Sequence, residues 1–204
     1  MNVIITLSNP KGGVGKTTTA TTLAHLLFLE EKSVALVDLD SWRTRGAGAK
    51  AGFRRCELLG IPAFESLEAV PEPEPEYLII DTPPDLSVEE QTKAHQVADL
   101  VIIPMSASDD DIEVSVAHFA AVGHDRKAFL LTQIHPLSDS GEFVEDLNEA
   151  GYLTLQTVIR SYNVYRTALT TGGTVAGVNN AAGRKAAADY QTLLAELHAN
   201  SQPT

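Results

Sequence analysis

The sequence predicts an α/β protein with a mainly parallel central sheet that helices cover on both faces. Short, continuous apolar runs, typical of strands buried on both sides, alternate along the chain with longer helical patterns. The first of these runs leads directly into a glycine-rich turn and then into a helix. A chain of 204 residues has the size of one domain, and we expect residues 1–204 to form a single one.

The individual elements follow from this alternation. Strands are expected at residues 3–7, 33–38, 77–81, 100–104 and 128–132, each of them a short apolar run. Helices are expected at about residues 17–31, 87–98, 109–122, 140–150 and 181–198. The segment PEPEPE at residues 71–76 should be an extended, solvated connector, because proline fixes φ and has no backbone N–H.

Composition narrows the class of protein. The net charge of −12 favours solubility and argues against indiscriminate binding to nucleic acid. Cys56 is the one cysteine in the sequence, which excludes an internal disulfide and a CxxC site for zinc or an iron–sulfur cluster. No apolar run has the length of a membrane span, and no targeting signal is visible. We therefore expect a cytoplasmic protein.

The glycine-rich turn at residues 11–18 reads KGGVGKTT and has the chemistry of a phosphate-binding loop. Its glycines let backbone N–H groups wrap around phosphate oxygens, and the following helix adds the partial positive charge of its N-terminus. Lys16 would reach the β- and γ-phosphates, and the Thr17 hydroxyl would ligate Mg²⁺. Pro10 stands where the usual G-x-x-x-x-G-K-[ST] pattern has its first glycine. The expected nucleotide contacts in this loop are Lys11, Gly12, Gly13, Val14, Gly15, Lys16, Thr17 and Thr18.

A second lysine in this loop marks a resemblance to a known family. The pattern K-G-G-x-G-K-[ST] resembles that of the deviant Walker P-loop ATPases of the ParA/MinD family, and the chain looks closest to short plasmid-partition ParA proteins. The resemblance covers nearly the whole chain and implies an ATP-binding P-loop NTPase. It also implies that Lys11 crosses a dimer interface to contact the partner's nucleotide, which makes the homodimer depend on ATP.

Two acidic stretches extend the resemblance. In VALVDLD, Asp40 stands where the family positions or activates the attacking water. Asp38 stands beside the metal and switch region, so the resemblance also makes it a candidate nucleotide contact. YLIIDTPPDLS resembles the Walker B strand and switch region of the family, in which Asp81 stands in the Mg²⁺ shell, usually through water. Ser41 and Trp42 replace the Pro and Gln that commonly follow Asp40, a change that alters the switch loop.

The remaining site residues are also implied by the resemblance. The stretch LLTQ aligns with a strand end that often lines the adenine pocket, so Thr132 and Gln133 are candidate adenine contacts. Lys11, Lys16 and Asp40 are the expected catalytic residues, with ATP and Mg²⁺ as cofactors.

The resemblance implies a partition or positioning ATPase. ATP-bound dimers of such proteins bind nucleoid DNA without sequence preference, and a ParB-like or other adaptor stimulates their otherwise weak hydrolysis. The cargo would be a plasmid, a chromosome region or a protein assembly. Binding of this kind rests on phosphate contacts from lysine and arginine. The candidate residues are Arg160, Arg166, Arg184 and Lys185.

Two alternatives stay open. A MinD-like membrane-associated ATPase would need a basic amphipathic C-terminal helix, yet after Lys185 the one further residue that could carry positive charge is His198. A metabolic ATP-dependent ligase or synthetase of the same fold is the other alternative. Lys11 speaks against it. So does the C-terminal half, in which YRTALTTGGTV at residues 165–175 and the last helix resemble the short plasmid-partition proteins.

Overall fold

The computed structural model describes residues 2–40, 51–170 and 173–200. These residues contain a six-stranded sheet in the order β3-β2-β4-β1-β5-β6, and every neighbouring pair of strands is parallel. The strands are β1 (Val3–Leu7), β2 (Val34–Asp38), β3 (Ala63–Phe64), β4 (Tyr77–Asp81), β5 (Leu100–Met105) and β6 (Lys127–Leu131). The predicted parallel sheet is therefore confirmed.

The strand order places the sequence motifs side by side. In a sheet of parallel strands all carboxyl ends lie at the same edge, where ligands of α/β proteins bind. Asp38 and Asp81, the last residues of β2 and β4, are partners in the strand register, and Asp81 is also the partner of Leu7 on β1. The two acids and the glycine-rich loop that follows β1 consequently meet at one edge.

Helices connect the strands. They are α1 (Lys16–Leu29), α2 (Ala51–Leu59), α3 (Val88–Gln96), α4 (Asp109–Ala121), α5 (Gly141–Glu149), α6 (Val164–Thr170) and α7 (Ala181–Asn200), with 3-10 turns at Leu67–Ala69 and Val175–Gly177. Ser87 starts α3, because its hydroxyl accepts from the N–H of Glu90 at 3.3 Å and donates to the Glu90 carboxylate at 2.6 Å. Within the described ranges, no helix is both long enough and apolar enough to cross a membrane.

Both faces of the sheet are buried, as the continuous apolar strands predict. On β5, Ile102 belongs to a core cluster that includes Leu23 of α1 and Tyr190 of α7. Its neighbour Ile103 points to the opposite face and belongs to a second cluster with Phe119 of α4. A third cluster lies on the same face of the sheet as Ile103 and packs β2 and β4 against α3. Because successive side chains of a strand point to opposite faces, each strand packs against a layer of helices on both sides of the sheet.

Three elements were not predicted from the sequence, namely the helices α2 and α6 and the short strand β3. The strand predicted at residues 128–132 is present as β6, which begins and ends one residue earlier. Strand β3 has two residues and exists through its pairing with β2, which is a contact that no local pattern encodes. The five predicted helices and the other four predicted strands are present, with ends shifted by up to a few residues.

Candidate functional site

The loop between β1 and α1 has the backbone of an anion-binding turn. Gly13 and Gly15 have φ values of +83° and +92°, which lie in the left-handed region that favours glycine. Gly15 is the N-cap of α1, makes no side-chain cap, and is followed by no acidic residue in the first turn. The N–H groups at this helix end are therefore available to a negatively charged ligand.

This loop forms one wall of a cavity of about 240 Å³. The opposite wall comes from the ends of β2 and β4. The lining residues are Gly12, Gly13, Gly15, Lys16, Thr17, Thr18, Asp40, Asp81, Thr82, Pro83 and Pro84. Six of the eight loop residues predicted to contact a nucleotide line the cavity. Val14 instead turns its side chain into the core, and Lys11 lies outside the lining.

Three backbone carbonyls of the loop are fixed by side chains. The buried Lys16 Nζ donates to the Lys11 carbonyl at 2.8 Å. Thr132 directly follows β6, and its hydroxyl donates to the Val14 carbonyl at 2.9 Å. The Gln133 amide donates to the carbonyl of Gly13. The two residues predicted to contact adenine therefore support the phosphate loop directly.

The carboxylate of Asp81, at the wall of this cavity, is strongly perturbed by its surroundings. It is 2% exposed, and its Oδ1 has no hydrogen-bond partner among the described residues. Burial raises its pKa, and the neighbouring charge of Asp38 raises it further. The Thr17 hydroxyl and the Lys16 ammonium act in the opposite direction.

The donor set fits a magnesium ion held jointly with a nucleotide. The described part of the chain holds no group of three His, Cys, Asp or Glu side chains that could cage a metal without further ligands. Mg²⁺ prefers oxygen, usually keeps several waters, and takes one or two protein ligands beside substrate phosphates. The Thr17 hydroxyl and the unsatisfied Asp81 oxygen supply oxygens of that kind on one side of the cavity.

Asp38 has a different place from the one predicted for a nucleotide contact. It is buried behind the cavity and does not line it. Its Oδ1 accepts from the Asp40 N–H and its Oδ2 from the Phe53 N–H, each at 3.0 Å. Asp38 therefore ties the end of β2 to the first turn of α2, while Asp40 faces the cavity.

Helix α2 is a part of the site that the sequence did not reveal. A Cβ on Gly52 would lie 3.0 Å from Asp38 Oδ2 and 3.4 Å from Asp81 Oδ2, so glycine permits the helix to approach both carboxylates. Arg55 on the same helix lies within electrostatic reach of these acids, and its burial lowers its pKa. The one local signal is the glycine inside a helical pattern, which indicates close packing.

A second cavity, of about 230 Å³, lies on the other side of the loop. Gly13, Gly15 and Thr18 line both cavities, and Thr132 and Gln133, the candidate adenine contacts, line the second. Three of the five tyrosines of the chain also line it: Tyr162, Tyr165 and Tyr190. Flat aromatic walls beside a phosphate loop suit a nucleoside, and the sequence analysis did not single these tyrosines out.

Lys11 is paired inside its own subunit in this structure. Its Nζ lies 3.0 Å from Asp111 Oδ1 in the first turn of α4, and its side chain is 38% exposed. It stands at the rim of the first cavity rather than inside it. The predicted contact with a partner subunit stays a prediction.

The four candidate DNA residues differ in their surroundings. Arg160 forms an ion pair with Asp189 of α7 at 2.8 Å and lines the tyrosine cavity, so its guanidinium is already engaged. Arg166, Arg184 and Lys185 are exposed on α6 and α7, two helices that contact each other. The structure therefore leaves three of these residues accessible on neighbouring helices.

Comparison with known proteins identifies the family. Residues 5–169 match the CobQ/CobB/MinD/ParA nucleotide binding domain. Maintenance of carboxysome distribution protein A from Gloeobacter kilaueensis is 32% identical over 206 residues, which cover 95% of this chain and 93% of that protein.

Solved structures share the fold. A candidate plasmid partition protein from Borrelia burgdorferi B31, bound to AMPPNP, matches with a TM-score of 0.70 and 19% identity, over 98% of this chain and 100% of that one. Cobyrinic acid a,c-diamide synthase from Mycobacterium smegmatis, with bound ATP analog and magnesium, matches with a TM-score of 0.63 and 21% identity, over 98% and 96% of the two chains. The sequence match across residues 5–169 and the full-length relative together show that this chain belongs to the CobQ/CobB/MinD/ParA family of nucleotide-binding domains.

Proposed function

We propose that residues 1–204 form one ParA-type ATPase domain that positions a cargo through ATP-gated dimerisation. The observation that carries this proposal is the different placement of the two loop lysines. Lys16 is buried and lines the cavity, whereas Lys11 stands at the rim with its amine outside the lining. Lys16 thus serves the nucleotide of its own subunit, and Lys11, once its side chain leaves Asp111, serves the nucleotide of a second copy of the chain.

Each part of the first cavity has a role in this proposal. The loop N–H groups and Lys16 bind the phosphates of ATP, and Thr17 and Asp81 hold Mg²⁺ between them. When bound, Mg²⁺ offsets charge on the β- and γ-phosphates. Asp40, at the cavity wall, orients the attacking water. The base and ribose occupy the tyrosine-lined cavity beside Thr132 and Gln133.

Electrostatics favours a dimer in which Lys11 acts across the interface. Two ATP molecules that face each other, together with Asp40 and Asp81 of each subunit, concentrate negative charge at the seam. A lysine from the opposite subunit offsets that charge, and it does so most strongly on the phosphoryl group that is being transferred. Cations supplied in this way accelerate related phosphoryl transfers by roughly 10³–10⁵-fold.

The relative from Gloeobacter kilaueensis favours a protein assembly as the cargo, because its name refers to carboxysome distribution and it aligns over 95% of this chain. We propose that an adaptor on such an assembly stimulates hydrolysis, and that ATP-bound dimers use nucleoid DNA in the cytoplasm as their platform. Partition of a plasmid or chromosome region is the second candidate, and the partition-type loop with Lys11 supports it.

The two alternative functions have less support. The apolar side chains of α7, among them Tyr190, Leu193 and Leu197, pack into the core, so this face of the helix is not available to a bilayer. The synthetase that shares the fold is 21% identical, which is a likeness of fold alone.

Nucleotide binding and turnover test the proposal. With Mg²⁺ present, Lys16→Ala should abolish ATP binding, whereas Lys32→Ala, at the opposite edge of the sheet, should bind and hydrolyse ATP like the parent. Asp40→Ala should keep ATP affinity and lose hydrolysis by about 10²-fold, because it loses the group that orients water. Unchanged affinity of Lys16→Ala would show that the loop does not hold the phosphates.

A further inference from the structure

In the ion pair between Lys11 and Asp111, the backbone of Lys11 is held in place, whereas its side chain can move. The Lys11 N–H donates to Asn9 Oδ1 at 2.8 Å, and the Lys11 carbonyl accepts from Lys16 Nζ at the same distance. The backbone of Lys11 is therefore held on both sides. Its half-exposed side chain, which ends 3.0 Å from Asp111 Oδ1, can change partner without a change in the loop.

Asp111 is itself held in place. The Ser106 hydroxyl donates to Asp111 Oδ2 at 2.5 Å, and the Asp111 side chain is 14% exposed. The Ser106 hydrogen bond and the Lys11 ammonium lower the pKa of this carboxyl, whereas its partial burial acts against them. The carboxylate is thus charged and oriented toward Lys11 at neutral pH.

Helix α4, which carries Asp111, is fastened to the start of the same loop. Ser8 Oγ lies 3.0 Å from His118 Nε2, and Asn9 Nδ2 donates to Ser115 Oγ at 2.8 Å, with all four residues buried. Moving the whole helix away would break these buried hydrogen bonds. Lys11 is therefore released at lower energetic cost by a rotation of its side chain, which leaves these hydrogen bonds intact.

We propose that Asp111 is a positioning residue that holds Lys11 in its own subunit until two nucleotide-bound subunits meet. The proposal rests on the trans role of Lys11 in the proposed function. Each subunit must break its Lys11–Asp111 ion pair before the lysine can reach across. The ion pair consequently opposes dimerisation and keeps the protein monomeric at concentrations where an unrestrained lysine would already join two subunits.

The size of this restraint follows from the exposure of the pair. A partly exposed ion pair of this kind changes an equilibrium by about two- to fivefold, and because both subunits must release a lysine, the dimer constant changes by about 4- to 25-fold. Added salt screens the pair, so the effect should shrink as ionic strength rises.

The first arm of the test measures the contact. Lys11 in the nucleotide-free protein is labelled with a limiting amount of an acetylating reagent, and its modification rate is read by peptide mass spectrometry. Asp111→Asn should label about two- to fivefold faster than Asp110→Asn, which removes the same charge from the same helical turn at an exposed position. Equal rates in the two variants would overturn the proposal.

The second arm measures the consequence by sedimentation of the same variants with Mg²⁺ and a non-hydrolysable ATP analogue. Asp111→Asn should dimerise at about 4- to 25-fold lower concentration than Asp110→Asn, and Asp111→Glu, which keeps the charge, should stay near the parent. The difference should narrow between about 0.05 M and about 0.5 M salt. If Asp111→Asn dimerises as the parent does, or more weakly, the restraint by Asp111 is wrong while the proposed function stands. If neither the parent nor any variant dimerises, the proposed function is wrong and the restraint falls with it.

Discussion

At the scale of single residues, the ionised form of Asp81 lowers the stability of the folded protein, and a ligand would relieve this destabilisation. Its carboxylate is buried beside Asp38, and this environment raises its pKa to about 7. The folded protein therefore favours the protonated acid, while the unfolded chain ionises near the ordinary value of 3.8. The resulting loss of stability grows as the pH rises from about 3.8 to about 7 and is complete above that range.

Asp81→Asn should accordingly raise the melting temperature of the nucleotide-free, magnesium-free protein by several degrees at pH 8, because the amide carries no charge to bury. The gain should shrink as the pH falls toward 4. Thermal unfolding at a series of pH values measures it, with the exposed Asp146→Asn as the control for loss of one charge. A gain that is equal at pH 4 and pH 8 would show that ionisation of Asp81 is not its cause.

The same substitution separates stability from function. Asp81→Asn should lose the added stabilisation that Mg²⁺ gives to the nucleotide-bound parent, because the amide is a poorer ligand for a hard cation. The comparison is the shift in melting temperature on adding Mg²⁺ to the ADP-bound protein at pH 8. An undiminished shift would place the metal on other residues.

At the scale of elements, the approach of α2 to the ends of β2 and β4 depends on Gly52. An added Cβ would lie 3.0 Å from Asp38 Oδ2 and 3.1 Å from Leu36 Cδ2. Gly52→Ala should therefore displace the first turn of α2 and lower the free energy of unfolding by about 1–3 kcal/mol. It should also weaken binding of Mg²⁺-nucleotide, since α2 holds Asp38 through the Phe53 N–H.

Gly123→Ala is the matched control, because a Cβ there meets no atom within 4 Å. Chemical denaturation of both variants measures the effect. A Gly52→Ala protein as stable as the Gly123→Ala protein would mean that the helix has room to shift without loss.

How far the sequence predicts each element depends on where its cause lies. The phosphate loop and the continuous apolar strands have local causes, such as glycines at positive φ and uninterrupted apolar runs, and these were predicted with their positions. Helix α2 is defined by its fit against two carboxylates, and β3 by two residues of pairing with β2. Contacts between segments distant along the chain leave little trace in a local pattern.

The candidate site shows the same division. Lys16 and Thr17 were predicted at this site from the phosphate-loop motif, and Asp81 was implied by the family resemblance. All three line the same cavity at the carboxyl ends of the parallel strands. The position of Asp38 behind the wall and the pairing of Lys11 with Asp111 could not be predicted, since each depends on a helix whose orientation the sequence does not state. Trp42, the sole tryptophan, lies outside the described residues.

At the scale of the whole molecule, the net charge of −12 sets a condition on DNA binding. An acidic protein can bind phosphates only through a local basic surface, and the accessible candidates are Arg166, Arg184 and Lys185 on α6 and α7. Pairing two copies of this surface in a dimer would double the number of phosphate contacts. Binding should therefore require ATP and fall steeply with salt.

Replacing Arg184 and Lys185 together by glutamate should abolish ATP-dependent DNA binding at low salt and leave ATP affinity unchanged. The control is Arg126→Glu, an exposed residue that precedes β6 at the opposite edge of the sheet. Co-sedimentation with DNA of unrelated sequences, with and without Mg²⁺-ATP, measures the effect. DNA binding by the double variant equal to that of the parent would place the DNA surface elsewhere.

Light scattering after size exclusion tests the ATP-gated dimer most directly. With Mg²⁺ and a non-hydrolysable ATP analogue, the parent chain should elute at twice its monomer mass of 21.9 kDa, and with ADP it should elute as a monomer. Lys11→Ala should bind the analogue and stay monomeric, whereas Lys32→Ala should dimerise like the parent. A parent chain that remains monomeric with the analogue at every concentration, or a Lys11→Ala protein that dimerises as the parent does, would contradict a lysine that acts across the interface.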